Sequence, residues 1–174
     1  MDMEEKLAFL DEHYLSHFDY LDVDSVIQEQ KAFGACRDVT LEYPVAENEG
    51  EEDNTYLSYN MVVGNAADSQ MAMAFEVLDY ALLSAPGAPL KQALLDAKLG
   101  KDVYGSYDDG ILQPYFTVIA KGSNPDRKEE FVSVIRQVLG DIVKNGIDKK
   151  AVEAGINYFE FRYREADFSS YPKG

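Results

Sequence analysis

Apolar residues recur every three or four positions in the first part of the chain and at every second position further along. The first spacing predicts a helix over residues 4–18. The apolar face of this helix carries Leu7, Leu10, Tyr14 and Phe18. A mixed connector follows over residues 19–33, with a short helix expected after Ser25. Apolar and polar residues alternate weakly over residues 39–45 and indicate a strand. Pro44 suggests that this strand lies at a sheet edge or that it ends there.

A clearer alternation begins at residue 55 and predicts a strand over residues 55–63. The residues on its apolar face are Leu57, Tyr59, Met61 and Val63. Asp68 is the expected N-cap of a helix over residues 71–83, which is apolar nearly all round. Such a helix is usually buried between layers, so its large side chains are assigned to the core. These side chains are Met71, Met73 and Phe75.

A break rich in Pro and Gly at residues 84–89 separates this helix from a second one. The second helix is expected over residues 90–99 and ends at Gly100, because glycine commonly terminates helices. Two strands follow over residues 102–107 and 113–120. The Asp-Asp-Gly sequence at residues 108–110 predicts that a turn joins them into a hairpin.

The last part of the chain predicts a second pair of helices. Asn124 is a suitable cap and Pro125 suits the first helical position. The apolar stripe of this helix consists of Phe131, Val134, Ile135, Val138, Leu139, Ile142 and Val143. Gly146 closes it, and Asp148 caps a final helix that is expected to end around Asp167. The stripe of the final helix consists of Val152, Ile156, Phe159 and Tyr163.

The order strand, helix pair, two strands, helix pair predicts an α+β fold. We expect a mainly antiparallel sheet with helices packed on one face, of the ferredoxin-like type. The hairpin disfavours the alternative, a doubly wound α/β fold. Residues 1–34 are expected to form a helical connector and residues 35–174 a single domain. This domain contains a run of acidic residues over positions 47–53, and such a run most often forms a solvated loop.

Composition narrows the classes of function. The chain has 174 residues, of which 46% are hydrophobic, and its formal net charge is −16. This charge argues against binding to nucleic acid or to an anionic membrane surface, because both need clustered Lys and Arg. It fits a soluble protein or one that meets basic peptides. The single Cys36 permits no internal disulfide, and no signal peptide or transmembrane span is visible.

The only pattern that resembles a metal motif is a pair of histidines. His13 and His17 are four residues apart on a predicted helix, so both imidazoles can face one ion. Ser16 stands where a metallopeptidase of the H-x-x-E-H type has its catalytic glutamate, and a hydroxyl cannot act as that base. We therefore expect no catalytic residue and no metal site in this chain.

Several stretches, in order, resemble the second domain of insulinase-like zinc metallopeptidases of the presequence-protease subgroup. They are residues 55–64, 78–90, 99–103, 116–122 and 161–174, the last ending in Tyr-Pro-Lys-Gly. The resemblance covers nearly the whole chain. It implies a metallopeptidase-half fold within a larger, four-domain enzyme whose zinc lies in another domain. This second domain would be a scaffold and a wall of the chamber that holds an unfolded peptide.

The resemblance also implies a way to hold the peptide. Family members anchor it by adding it as a strand to an edge in the second domain, where backbone groups supply the affinity. The matching positions here are Val103, Tyr104, Gly105 and Ser106. Gly105 would let another backbone come close. The alternative is that these residues form an ordinary paired strand.

Two other interpretations stay open. The chain could be a free-standing α+β protein-interaction module, or a non-catalytic structural relative of the peptidase. If it is a segment of the peptidase, its partners are the remaining domains of its polypeptide and an unfolded peptide. We then expect the domain to be incomplete at its C-terminus and to self-associate through apolar surface left uncovered. The sequence leaves the compartment open, with a cytoplasmic location expected for a bacterial source.

Overall fold

The computed structural model describes residues 2–48 and 50–165, and these fall into two compact units divided after Gln30. The first unit contains α1 (Met3–His13) and a 3-10 turn (Leu15–His17). Asp2 caps α1 by accepting a hydrogen bond from the N–H of Met3 at 2.7 Å. The predicted first helix is therefore confirmed but ends five residues early as an α-helix, and none of its side chains is buried.

Two elements expected in the long segment before residue 55 are wrong. No helix follows Ser25, although the Asp24 carboxylate accepts the N–H of Val26, and Val26 and Ile27 are 71% and 79% exposed. No strand forms over residues 39–45 either. Val39 and Leu41 are 69% and 84% exposed, so these two apolar side chains contribute little burial that would hold a strand in place.

The second unit is built around a three-stranded antiparallel sheet with the order β1-β3-β2. Its strands are β1 (Thr55–Val62), β2 (Asp102–Asp108) and β3 (Tyr115–Ser123). β3 is central and pairs with both neighbours, so that Val118 lies opposite Tyr59 on one side and Gly105 on the other. The predicted hairpin and the antiparallel sheet are confirmed. The N–H of Gly110 bonds to the Asp108 carboxylate within the connecting turn.

The remaining elements are helices, in the predicted order. They are α2 (Ser69–Asp79), which continues into a π-helical turn (Tyr80–Ser84), α3 (Pro89–Asp96), a 3-10 turn (Pro125–Arg127), α4 (Lys128–Asn145) and α5 (Lys149–Glu165). Asp68 caps α2 as predicted, accepting the N–H of Met71 at 3.0 Å. Asp148 likewise accepts the N–H of Lys150 at 2.9 Å at the start of α5. The predicted α+β class is thus confirmed. The expected end of the last helix at Asp167 lies outside the described residues.

The core lies between one face of the sheet and the helices α2, α3 and α4. Its fully buried side chains include Leu90, Leu94, Leu99, Val103, Val118, Phe131 and Ile135. Some positions assigned to the core are wrong: Met71 and Met73 are 42% and 43% exposed, and Val143 is 86% exposed. The reason is that α2 and α4 each cover the sheet with one side only, which leaves apolar residues on their other sides in solvent.

The end of α3 differs from the prediction. Lys98, not Gly100, takes the left-handed conformation, with φ of 53°. The N–H of Leu99 bonds to the Leu94 carbonyl and that of Lys98 to the Leu95 carbonyl, at 3.1 and 2.9 Å. This is a Schellman motif, closed by contact of two buried leucines. Gly100 serves another purpose, because a Cβ there would lie 2.8 Å from the Lys121 carbonyl oxygen.

Asn124 does not cap the following helical turn through its side chain. Its amide nitrogen instead donates to the Asp53 carboxylate at 2.8 Å, and its side-chain oxygen accepts the Asp53 N–H at 2.9 Å. Lys101 lies 3.4 Å from the same carboxylate. One end of the acidic loop is therefore fixed where β1, β2 and the segment before α4 meet.

Candidate peptide-binding edge

β2 lies at an edge of the sheet, since its partner within the described residues is β3 alone. The whole of β2 presents one side to β3 and the other side away from the sheet. In an antiparallel edge strand, alternate residues direct their N–H and C=O groups to the unpaired side. The four candidate anchoring residues, Val103, Tyr104, Gly105 and Ser106, occupy the middle of this strand. β2 thus has the backbone arrangement that strand addition requires.

The two faces of β2 differ in character. Val103 is fully buried beneath the helices and Gly105 points to the same side. Tyr104 and Ser106 are exposed on the other face of the sheet, where Tyr104 is 39% exposed. Asp102 at the start of the strand forms an ion pair with Lys91 of α3 at 3.4 Å. A strand added beside β2 would therefore meet an aromatic ring on one face and the helix layer on the other.

Gly105 is held in a tight environment. A Cβ at this position would lie 2.3 Å from Leu83 Cδ1 and 2.6 Å from the Thr117 carbonyl oxygen. The close approach expected at this glycine is therefore made by the π-helical turn and by β3. Glycine is needed here because any larger residue would force the helix layer and the strand apart.

Sequence reasoning missed Asp79, which also lies beside Gly105. Its Oδ1 is 3.1 Å from the Cβ position of that glycine, is buried, and accepts no hydrogen bond from the described residues. Its Oδ2 accepts a hydrogen bond from the Ser84 hydroxyl at 3.4 Å. Burial raises the pKa of the Asp79 carboxyl, and the bond from Ser84 partly offsets that rise. The signal in the sequence was an acid within the apolar run at residues 77–83.

α5 packs on the flank of α2 next to this edge. A Cβ on Gly155 would lie 3.2 Å from both Val77 and Tyr80, so glycine permits the close contact of the two helices. The Tyr163 hydroxyl donates to Glu76 of α2 at 2.9 Å. Burial, followed by this bond, raises the pKa of Tyr163.

Two carboxylates act on a tyrosine of α5 and on a tyrosine of β2. The carboxylates of Glu76 and Asp109 act electrostatically both on Tyr163 of α5 and on Tyr107 of β2. Burial is the first cause that raises the pKa of Tyr107, and these charges add to it. The end of β2 near Tyr107 therefore lies in an acidic setting.

The histidine pair belongs to the first unit of the chain. His13 is the last residue of α1, and its ring packs against that of Phe9 at a tilt of 53°, with centroids 4.4 Å apart. His17 lies in the 3-10 turn, and the Ser16 hydroxyl bonds to the Glu12 carbonyl at 3.1 Å. Over residues 2–48 and 50–165 no group of three His, Cys, Asp or Glu side chains could hold a metal ion. The residues present thus do not fit a zinc site.

Comparison with known proteins decides the family. The model of the Peptidase M16 inactive domain matches residues 3–159, which is most of the chain. The chain belongs to the Peptidase M16 inactive domain family. The match includes every candidate anchoring residue, and it places this chain among the non-catalytic domains of a family related to zinc proteases.

Relatives of this M16 inactive domain include presequence proteases. It is 44% identical to Protein HypA of Clostridium perfringens over 173 residues, covering 99% of this chain and 18% of that protein. It is 30% identical to Presequence protease 1, chloroplastic/mitochondrial, of Arabidopsis thaliana over 152 residues, covering 86% of this chain and 14% of that protein. The chain thus spans less than one fifth of the length of these relatives.

Solved structures share the fold of the M16 inactive domain. The inactive peptidase domain of a protein described as a zinc protease, from Bordetella parapertussis, superposes with a TM-score of 0.56 and 12% identity. The match covers 66% of this chain and 62% of that one. A Bordetella pertussis protein of the same description gives a TM-score of 0.52 and 14% identity, covering 66% and 63% of the two chains. None of the described helices is long and apolar enough to span a membrane.

Proposed function

We propose that this chain is a scaffold and chamber-wall domain of a zinc-dependent metallopeptidase that degrades oligopeptides, and that it anchors the peptide by strand addition to β2. The single observation that carries the proposal is the position of β2 at the sheet edge, with one side of its backbone unpaired by the described residues. Backbone pairing binds peptides of many sequences, which suits an enzyme that degrades unrelated peptides.

The catalytic zinc belongs, in this proposal, to another domain of the same polypeptide. The share of the relatives that this chain spans, 14% and 18% in two of them, supports a larger protein with further domains. In this proposal, residues 1–34 connect the preceding domain to the second domain. Residues 35–174 form the first part of that second domain. Those domains and an unfolded peptide are the proposed partners.

Hydrogen–deuterium exchange tests the anchoring role directly. The probe is an unstructured 15-residue peptide of Ser, Thr, Val and Lys, added in excess to the 174-residue chain. We expect the backbone amides of β2 that face away from β3 to exchange rapidly alone and to become protected with peptide, since a new strand would accept their hydrogen bonds.

Two matched peptides sharpen this experiment. A scrambled peptide of the same composition should protect β2 equally, because backbone groups supply the affinity. The original peptide with alternate amides N-methylated should not bind, because it cannot complete the ladder. Protection confined to β1, or equal binding of the N-methylated peptide, would contradict anchoring at β2. Protection of neither edge would favour the alternative of an interaction module with another binding surface.

A further inference from the structure

On the helix-facing side of β2 lies a carboxylate oxygen that pairing of backbones along the strand would not involve. Asp79 Oδ1 is buried, accepts no hydrogen bond from the described residues, and lies 3.1 Å from the Cβ position of Gly105. Gly105 is in the middle of the edge strand. A buried acceptor without a partner costs free energy, which a ligand with a suitable donor would recover.

The geometry of a paired strand brings a side chain to this oxygen. Residues directly opposite each other in neighbouring strands point to the same face, and their Cβ atoms are about 4.5–5.5 Å apart. The peptide residue opposite Gly105 would therefore point to the helix side, where Asp79 is found. Gly105 has no side chain to stand between them. A long side chain on that peptide residue is thus within reach of Oδ1.

The charge around the edge selects the kind of side chain. Glu76 and Asp109 act electrostatically on Tyr107 near the end of β2, whereas Asp102 at its start is paired with Lys91. The chain as a whole carries a formal charge of −16. A carboxylate in an acidic and partly desolvated setting favours a cationic donor over a neutral one.

We propose that Asp79 is a specificity-determining residue of the β2 edge, where its free Oδ1 accepts a hydrogen bond from a Lys or Arg side chain on the peptide residue opposite Gly105. The inference rests on the proposed strand addition. It adds a preference at one peptide position, which backbone pairing alone does not give.

The test compares nine-residue peptides of Ser and Thr that carry a fluorescent label and differ only at the central residue. That residue is Lys, N-acetyl-lysine or norleucine. Binding is measured by fluorescence anisotropy at about 0.1 M salt, where charges farther apart than about 10 Å are largely screened. We expect the unaltered chain to bind the Lys peptide about tenfold more tightly than the other two, which corresponds to about 1.4 kcal/mol.

Two variants assign the preference to Asp79. Asp79→Asn keeps the shape of the side chain and removes its charge. This variant should therefore bind all three peptides with the same affinity, equal to that of the unaltered chain for the norleucine peptide. Asp141→Asn is the matched control, because Asp141 is exposed on α4 and its loss changes the net charge by the same amount. It should keep the tenfold preference. Circular dichroism confirms that both variants fold.

The outcomes separate the two proposals. Equal affinity of the unaltered chain for all three peptides overturns the role of Asp79 and leaves strand addition intact. This comparison uses the unaltered chain alone, so it does not depend on whether a variant folds. A preference that survives Asp79→Asn, or is lost equally in Asp141→Asn, also overturns it. Failure of every peptide to bind overturns the strand addition on which the inference rests.

Discussion

At the scale of single residues, Asp53 and Asn124 fix the start of β1 by two reciprocal hydrogen bonds. The hydrogen bond from Asn124 is the largest cause that lowers the pKa of Asp53, and Lys101 lowers this pKa further. An acid whose pKa is lower in the folded state stabilises the fold above its unfolded pKa, here the ordinary value of 3.8. That contribution is lost as the pH falls through the folded pKa.

Replacing Asn124→Ala should therefore lower the free energy of unfolding at neutral pH and weaken its dependence on pH in the acid range. Urea unfolding at several pH values between neutral and acid measures both effects. Asn145→Ala, at the exposed end of α4, is the control and should leave the acid dependence unchanged. An unchanged acid dependence in Asn124→Ala would show that this pair contributes nothing.

Lys98 offers a second prediction at the same scale, because it is an exposed lysine in a left-handed conformation. Glycine adopts this conformation without a steric penalty, so Lys98→Gly should raise the free energy of unfolding by up to about 1 kcal/mol. Lys98→Ala keeps the Cβ and should give no comparable gain. Equal stability of the two variants by urea denaturation would refute the steric explanation.

At the scale of elements, glycines decide how the helices approach the sheet. Gly105→Ala would place a Cβ against Leu83 and the Thr117 carbonyl, at 2.3 and 2.6 Å. Because a backbone atom must move, we expect a loss of stability of about 1–3 kcal/mol. Gly140→Ala is the matched change, with nothing within 4 Å and a position inside α4. It should stabilise the chain by about 0.5–1 kcal/mol.

Thermal unfolding of the two alanine variants checks this prediction. Opposite shifts of the midpoint are expected, downward for Gly105→Ala and upward for Gly140→Ala. Shifts of the same sign would contradict the explanation that a steric clash dominates at Gly105 and helix propensity at Gly140.

At the scale of the whole molecule, large apolar side chains remain exposed on the helices. Phe161 of α5 is 68% exposed and Val143 of α4 is 86% exposed. We expect the 174-residue chain to self-associate as its concentration rises, because such surface favours association. Phe161→Ser should weaken that association in light scattering, whereas Gln137→Ser, at an exposed polar residue of α4, should not. A clean monomer at every concentration would contradict the expectation.

The chain on its own should also lack peptidase activity. We expect no hydrolysis of a quenched basic peptide of about 30 residues in the presence of zinc, because no described group of side chains fits the metal. The control is the same assay with a chelator, which should give the same result. Turnover that the chelator removes, and that is lost in His13→Ala or His17→Ala, would make the histidine pair a metal site after all.

The amino-acid sequence by itself determined the main strands and helices from residue 55 onward and their order. The alternation over β1, the caps at Asp68 and Asp148 and the turn before Gly110 depend on neighbours a few residues away, so each could be predicted correctly. Where the same local rules failed, as for the strand at residues 39–45, Val39 and Leu41 remain largely exposed and no described strand pairs with the segment.

Only the tertiary structure decided the order of the strands and the contacts that depend on it. Asp53 pairs with a residue 71 positions away, and Asp79 lies beside Gly105 because α2 crosses β2. Residue patterns carry no direct signal for such contacts, since loop closure brings together groups that are distant along the chain. The position of β2 at the edge, and the free carboxylate oxygen beside it, therefore became visible only in the folded chain.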